Sequence, residues 1–489
     1  MAELNTQAKF LKEHRNFILL TFFFFCIYCL ISLVNHYNFR TYALDLGAYT
    51  NALYDYAHLQ WNDSLVFKDS SENLIADHFD LYLMFFSPLS YLLGTYTLLL
   101  VQIISVLFGG LGIYLYFLRV VKNKFLSNIS VAFFYVFFGV FSALAFDYHS
   151  NVVAAMLLPW LFYTIAQQRL WYSSLLILLL LIGKENISLW LFFVCLGLII
   201  KYRKNSSVRN YLVAASLFCI CYFVFITVYV MPSFSISGSY QHFHYSYFGN
   251  DFVSAIAYLI KHPIDSFTIL FTNHVHHPKG DYVKAEIHLL LLISGLPFLL
   301  ARPYYFLMLI PIYFQKLFHD NYSMWGIGGQ YSIEFAPVFA VGIFEFFASF
   351  TSDKLLRIFS FFTLLMGIVS SVRIMDNTVY FTDKSRIRLY QARHYHNLYD
   401  VAKAHNALKL IPAKAVVSAQ SPFLPHLSLR DSIYQFPMVK NAEYLVFSIR
   451  ENTYPLSISQ FLRLTKSLEN SREWQVVYND EITVLKKKN

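Results

Sequence analysis

The stretch FILLTFFFFCIYCLISLV, Phe17 to Val34, runs eighteen residues without one charge. A helix of roughly 20 apolar residues crosses the hydrocarbon core of a bilayer, so this segment reads as a membrane span. Shortly after it comes LDLG, Leu44 to Gly47, which carries Asp45. A carboxylate so close to a span is either an ordinary solvated loop residue or part of a site at the membrane surface. The rest of the 489-residue chain is 57% hydrophobic and 14% charged, with 50 Phe and 37 Tyr, whereas soluble domains carry about 25% charged residues. Several more uncharged runs approach span length, which implies a polytopic α-helical membrane protein and excludes a soluble globular one. No small-x-small pattern follows the first run at SLVNHYN, so it reads as a span and not as a cleaved leader.

Short cytoplasmic loops collect Lys and Arg, and the loop charges therefore give an expected topology. Lys9, Lys12 and Arg15 precede the first span and place the N-terminus inside. The first outer loop, residues 35–80, contains Asp45, Asp55, Asp63, Asp69, Glu72, Asp77 and Asp80 against Arg40 and Lys68. Beyond it, LYLMFFSPLSYLL reads as a short re-entrant or interfacial helix broken at Pro88, with a full span from about Tyr96. Single spans are expected from Ile129 to Phe146 and from Val152 to Ala166. The apolar run from Trp171 to Ile200 is interrupted by GKEN, Gly183 to Asn186. Two short helices turning there keep Arg169 and Lys201 on one side and bring Lys184 and Glu185 to the outer face. The count comes to about 11 spans, several of them short or broken. Residues 1–372 form the membrane domain in this reading, and residues 373–489 form a small C-terminal α/β domain outside the cytoplasm. That domain is expected to hold a helix near Ser385 to Leu410 and strands at AVVSA, SIYQF and YLVFSI. A hairpin of WQVVYND and EITVLKK, with an Asn-Asp turn, closes it.

The net charge is +9, and residues 385–489 carry fifteen Lys or Arg against eight Asp or Glu. This basic tail suits solubility and anionic lipid headgroups. No nucleic-acid motif accompanies it, so nucleic acid is not an expected partner. Cys26, Cys29, Cys195, Cys219 and Cys221 all fall in apolar runs, where they read as small apolar fillers, with neither a disulfide framework nor a zinc site.

With this topology Asp45, His78, Asp147, His149, Lys184, Glu185, His274 to His277, His319, Asp320 and Glu334 all reach one membrane face. Ionisable groups near spans are costly and generally line a cavity or site, so the group is a candidate active site. Each residue also has a plainer reading. Asp45, Asp147 and His149 can be loop residues or helix caps, His78 a solvated interfacial residue, and Lys184 with Glu185 a turn with a local ion pair. HVHHP resembles a metal site, but its spacing matches no standard ligand geometry. WGIGGQ is glycine-rich without the pattern of a phosphate-binding loop.

Five stretches, in this order, carry a resemblance: LDLGAYTNALYD, DHFDLYLMFFSPLSYLLGTYTLLLVQ, FDYHSNVVAAMLLPWLFY, LLIGKENISLW and IPAKAVVSAQSPFLPHLSLRDSIYQFP. They run from Leu44 to Pro437, and together they resemble the bacterial membrane family of domain of unknown function 2079. That family is similar in architecture to membrane glycosyltransferases of the C type, which take a sugar from a polyprenyl-phosphate carrier at the outer membrane face. The resemblance implies a multi-pass protein of the bacterial inner membrane, a GT-C fold and a role in the cell envelope. It also implies a polyprenyl-phosphate-linked sugar as donor, with a glycan, lipid or protein as acceptor. The essential acidic residue of such enzymes stands in the first outer loop, where Asp45 stands here. DLG replaces their paired-acid motif, which favours a metal-independent base over a two-carboxylate metal site; no cofactor is assigned, and a divalent metal stays open without a two-carboxylate motif to support it.

On this reading Asp45 deprotonates the incoming hydroxyl, and Lys184, His78 and His149 bind the donor phosphate. Asp147, Glu185, His319 and Glu334 support them. Two other classes fit parts of the pattern. A transporter also breaks its helices, but no inverted repeat stands out and the ionisable groups gather at one face rather than at the midplane. A non-catalytic envelope assembly protein fits the outer domain and requires neither Asp45 nor Lys184.

Overall fold

The computed structural model describes residues 2–488, with side chains from residue 11 onward. Among the described residues four helical segments are long and apolar enough to cross a membrane: Leu11–Tyr37, Tyr82–Val120, Ser206–Phe234 and Asp353–Met375. Only 22% of the most apolar window of the first and 28% of the third is buried, against 61% for Tyr82–Val120. The first and third therefore turn apolar faces outward, as contact with lipid requires, while Tyr82–Val120 runs through the middle of the bundle. A fifth candidate is bent. Lys124–Val136 and Phe138–Leu144 meet at 48°, because Phe137 takes an extended conformation between them. The single straight span expected over this stretch is thus a kinked pair. Ser150–Ala155 and Leu158–Ala166 likewise replace one expected helix, with Pro159 in the first turn of the second, where its missing N–H costs nothing.

Other expected breaks are present. The run after the first loop is helical over Tyr82–Phe86, tightens to a 3₁₀ turn over Ser87–Leu89 around Pro88, and resumes over Ser90–Leu93. The long helix then starts at Thr97. GKEN separates two helices, Leu170–Leu181 and Glu185–Lys201. Gly139 shows how tightly the kinked pair is seated. A Cβ on it would stand 2.3 Å from the carbonyl oxygen of Ser332. One turn on, the Ser142 hydroxyl lies 3.0 and 2.6 Å from the carbonyls of Ile327 and Gly329. WGIGGQ is therefore a main-chain seam against this helix.

The C-terminal residues form a five-stranded mixed sheet in the order β2-β1-β3-β5-β4. The strands are β1 (Val417–Ala419), β2 (Ile433–Gln435), β3 (Tyr444–Phe447), β4 (Trp474–Asn479) and β5 (Thr483–Lys487). All five expected strands are present. β1 pairs in parallel with β2 and β3, and β5 runs antiparallel to β3 and β4. The closing hairpin turns through residues 480–482, since Asn479 pairs with Thr483, and not through a two-residue Asn-Asp turn. A helix over Ile458–Glu469, not among the expected elements, covers the sheet, and a reciprocal capping box between Ser457 and Gln460 starts it.

The long helix expected near Ser385 to Leu410 is not formed. In its place stand a turn at Lys384–Arg386 and two short helices, Ala392–Tyr395 and Val401–Leu408. The reason is Arg40. Its buried guanidinium donates to the carbonyls of His394 at 2.7 Å, Arg393 at 2.8 Å and Ser385 at 3.4 Å, and also to that of His396. These carbonyls converge on one guanidinium, whereas the carbonyls of a continuous helix all point along its axis, so the segment wraps around Arg40 in short pieces.

The same first loop enters the core of the sheet unit. Phe39, Ala43, Ala48 and Val66 pack with Val417, Phe423, Leu424 and Val446, and the Val66 carbonyl accepts the Gln435 N–H at 2.7 Å. Gly47 permits the approach, because a Cβ there would lie 2.5 Å from Leu424 Cδ2. Gly139→Ala is expected to destabilise the protein by about 1–3 kcal/mol, since the carbonyl it meets belongs to backbone and cannot turn away. Thermal melting of the purified protein in detergent checks this, and a wild-type melting temperature contradicts it.

Candidate functional site

Asp45 sits in a single wide helical turn, Ala43–Gly47, entered through Tyr42 in extended conformation. One Asp147 carboxylate oxygen accepts the Tyr42 N–H at 2.8 Å and the other accepts Arg386 Nη2 at 2.6 Å. Asp147 is fully buried. The Arg386 guanidinium lies over the rings of Tyr42 and Phe146, and its main-chain carbonyl accepts the Asn35 side chain at 2.7 Å. The turn after Asp147 is held from a third direction: Gln102 Oε1 accepts the His149 N–H at 2.9 Å. This frame presents His149 to Asp45.

Nε2 of His149 is 3.2 Å from the Asp45 carboxylate, and Nδ1 is 3.2 Å from the Asp147 carbonyl. Both neighbours are acceptors, so the ring is held between two oxygens. The Asp45 side chain keeps 31% of its surface exposed, while His149 keeps 4%. Burial pushes the Asp45 carboxyl up, but the His149 hydrogen bond and the His149, Arg386 and His78 charges outweigh it and hold the group below the usual carboxylate range. Asp45 is thus ionised, supported from behind and open in front.

A second set of groups continues from this pair. Glu185, the first residue of its helix, accepts the Phe79 N–H at 3.2 Å and stands 3.3 Å from His78 Nδ1. The His78 ring stacks on His242 at 4.4 Å, and His242 Nε2 lies 3.2 Å from Asp77. Burial pushes Asp77 up, yet His78 and His242 hold it well below its usual range. Burial, and then the Lys184 charge, keep His78 below its usual value. Burial alone would lower His242 too, but Asp77 reverses the direction. Between the two sets, Tyr49 packs edge-on to Tyr148 and His149, and Tyr148 donates to Asp80 at 3.2 Å. Lys184 is buried, and among the described residues its ammonium has neither a hydrogen bond nor an ion pair.

The expected residues therefore divide. Asp45, Asp147, His149, His78, Lys184 and Glu185 stand together. Glu334 lies behind the site and accepts Asn151 Nδ2 at 2.8 Å. His319 is further removed: its carbonyl accepts the Trp325 indole at 2.8 Å, and its ring reaches the group only through His244 and His242. HVHHP does not gather its imidazoles. His274 packs on Trp325, with Nδ1 3.0 Å from Lys284 Nζ, and His277 stacks on Tyr322. Arg386, Asp77, Asp80 and His242 were not among the expected site residues. The two aspartates had counted only as loop charges, and Arg386 only as part of a basic tail. His242 lies in the segment with the least recognisable pattern.

The apolar helices and this buried polar cluster at their ends define a polytopic helical membrane protein with an α/β unit joined to its first loop. The chain belongs to the DUF2079 family of predicted membrane proteins, whose family model matches residues 35–480. No curated protein matches it.

Asp80 gives the site a measurable pH signature. It is 2% exposed, and burial pushes its carboxyl up to about 7, against about 3.9 in the unfolded chain. Between those values the folded state binds more protons than the unfolded state, so stability falls as pH rises through the window. Asp80→Asn removes the effect while keeping an acceptor for the Tyr82 N–H. The variant is expected to gain in melting temperature relative to wild type at pH 8 compared with pH 5. An equal difference at both pH values contradicts this assignment.

Proposed function

We propose that this protein is an integral-membrane glycosyltransferase that uses a polyprenyl-phosphate-linked sugar at the outer face of the membrane, with Asp45 as general base. The Asp45–His149 pair carries this reading: an ionised, partly open carboxylate 3.2 Å from a buried imidazole. In the reaction the acceptor hydroxyl gives its proton to Asp45, and its oxygen bonds to the anomeric carbon. The bond from that carbon to the phosphate oxygen breaks, and polyprenyl phosphate leaves. Charge develops on the leaving phosphate, and positive groups fixed nearby lower the barrier. Lys184 is the uncommitted cation, with His78 and His149 beside it.

Asp147 and Glu185 act in this scheme as positioning residues through Tyr42, Arg386 and His78, while Glu334 and His319 support from further away. Phe85, Tyr91 and Leu92 are exposed around the break at Pro88 and offer an apolar surface for the polyprenyl chain. The sheet unit, packed against the first loop, suits presentation of an acceptor. The N-terminus is cytoplasmic and residues 373–489 are outside in this arrangement.

Asp45→Asn is expected to reduce release of polyprenyl phosphate from a lipid-linked sugar pool by about a hundred- to ten-thousand-fold, with membrane insertion and melting unchanged. Wild-type turnover by well-folded Asp45→Asn protein refutes the role of base. The orientation is tested separately. In a background without the five native cysteines, Ser459→Cys, at an exposed position, is expected to react with a membrane-impermeant thiol reagent added from outside intact cells. Labelling only after the cytoplasm is opened reverses the topology.

A further inference from the structure

We infer that Asp77, His78 and His242 form a binding site for one divalent cation of the zinc type. One ligand atom from each lies within 4.8 Å of the others. The side chains of His78, His242 and Asp77 are about one-fifth to one-quarter exposed (21%, 26% and 25%), so the cluster is open to an ion from solvent. Two imidazoles and one carboxylate are a ligand set for zinc and its first-row neighbours, whereas magnesium and calcium take oxygen ligands. Tetrahedral ligands at zinc stand roughly 3.3 Å apart, so closure needs side-chain shifts on the order of an ångström.

Two features of the surroundings favour a built site over a chance cluster. Ligating histidines usually hand their second ring nitrogen to a carboxylate, which fixes the ring and raises its basicity. Glu185 stands in that relation to His78, 3.3 Å from Nδ1, while its other oxygen is fixed by the Phe79 N–H. The loop ahead of the ligands is also set: Asn73 caps the turn Leu74–Ala76, and the His78 N–H returns to the Leu74 carbonyl at 2.9 Å. Three protein ligands leave a fourth position open to water or to an anionic oxygen. HVHHP has more histidines but no such arrangement: His274 packs on Trp325 and His277 on Tyr322.

The binding of an ion does not depend on the proposed sugar transfer. If that reaction holds, the ion adds a positive charge at His78, which burial and the Lys184 charge otherwise hold below its usual value.

The test uses the full chain, purified in detergent and stripped with a chelator. Titration with Zn²⁺ is expected to bind one ion per chain and raise the melting temperature. Titration with Co²⁺ is expected to give the visible absorption of a nitrogen- and oxygen-ligated ion. His242→Ala and Asp77→Asn should lose that ion, and Glu185→Gln should weaken it by about 10–100-fold. His276→Ala, outside the cluster, should bind as wild type. Absence of a stoichiometric ion in the wild type overturns the assignment. So does retention of the ion by folded His242→Ala protein. Should His242→Ala fail to fold, Glu185→Gln and the wild-type Co²⁺ spectrum decide the matter. Asp45→Asn is expected to keep full Zn²⁺ binding, so loss of transfer and loss of metal are read apart.

Discussion

The Asp147 carboxylate is fully buried, and everything around Asp45 depends on how that charge is satisfied. A buried ion left without its partner costs about 3–5 kcal/mol. The partners come from far along the chain, the Tyr42 N–H from the first loop and Arg386 from the segment after the last long helix. The 147–149 turn, the first loop and the start of the C-terminal segment must therefore arrive together. Arg40 repeats the constraint in the other direction, since it sits in the first loop and donates to carbonyls of residues 385–396. The result is a joint, not a tether, and Asp45 lies in its hinge turn.

Around this joint the ionisable groups are matched locally. Asp45 faces His149, Asp77 faces His242 and Glu185 faces His78. Each pair draws its members from different elements, so the pairs also sew the ends of the helices together. In a low-dielectric setting such matching limits the desolvation cost of any one charge. Lys184 is the exception: it is buried, and among the described residues its ammonium has neither a hydrogen bond nor an ion pair. Its charge acts on Asp80, Glu185 and Glu334 through space, favouring the ionised form of each.

Much of this region was legible before the fold was known. Asp45, Asp147, His149, Lys184 and Glu185 stand at the ends of apolar runs, where an ionisable residue has to be explained. GKEN announced a break because Lys and Glu cannot sit together in the middle of a lipid-facing helix. Other members gave no such sign. His242 shares its loop with His244, His262, His274, His276 and His277, and spacing does not say which imidazole meets a carboxylate. HVHHP drew attention for its density, yet His274 and His277 pack on Trp325 and Tyr322. Arg386 looked like one of fifteen basic residues that keep a tail soluble.

The amino-acid sequence by itself determined what depends on local composition and period. It set the apolar helices, the breaks at Pro88 and GKEN, the five strands, and the gathering of charge at the ends of the runs. Only the tertiary structure decided which charges pair, and where local preference gives way. The helix expected over Ser385 to Leu410 is not formed because Arg40, some 350 positions away in the chain, draws together carbonyls that a continuous helix would point along its axis. Phe137 bends a span that reads as continuous because Ser332 and the 327–329 carbonyls hold the following turn to a neighbouring segment. Propensity acts over a few residues. A buried guanidinium or carboxylate must be satisfied wherever in the chain its partners lie, and that requirement outweighs the local preference.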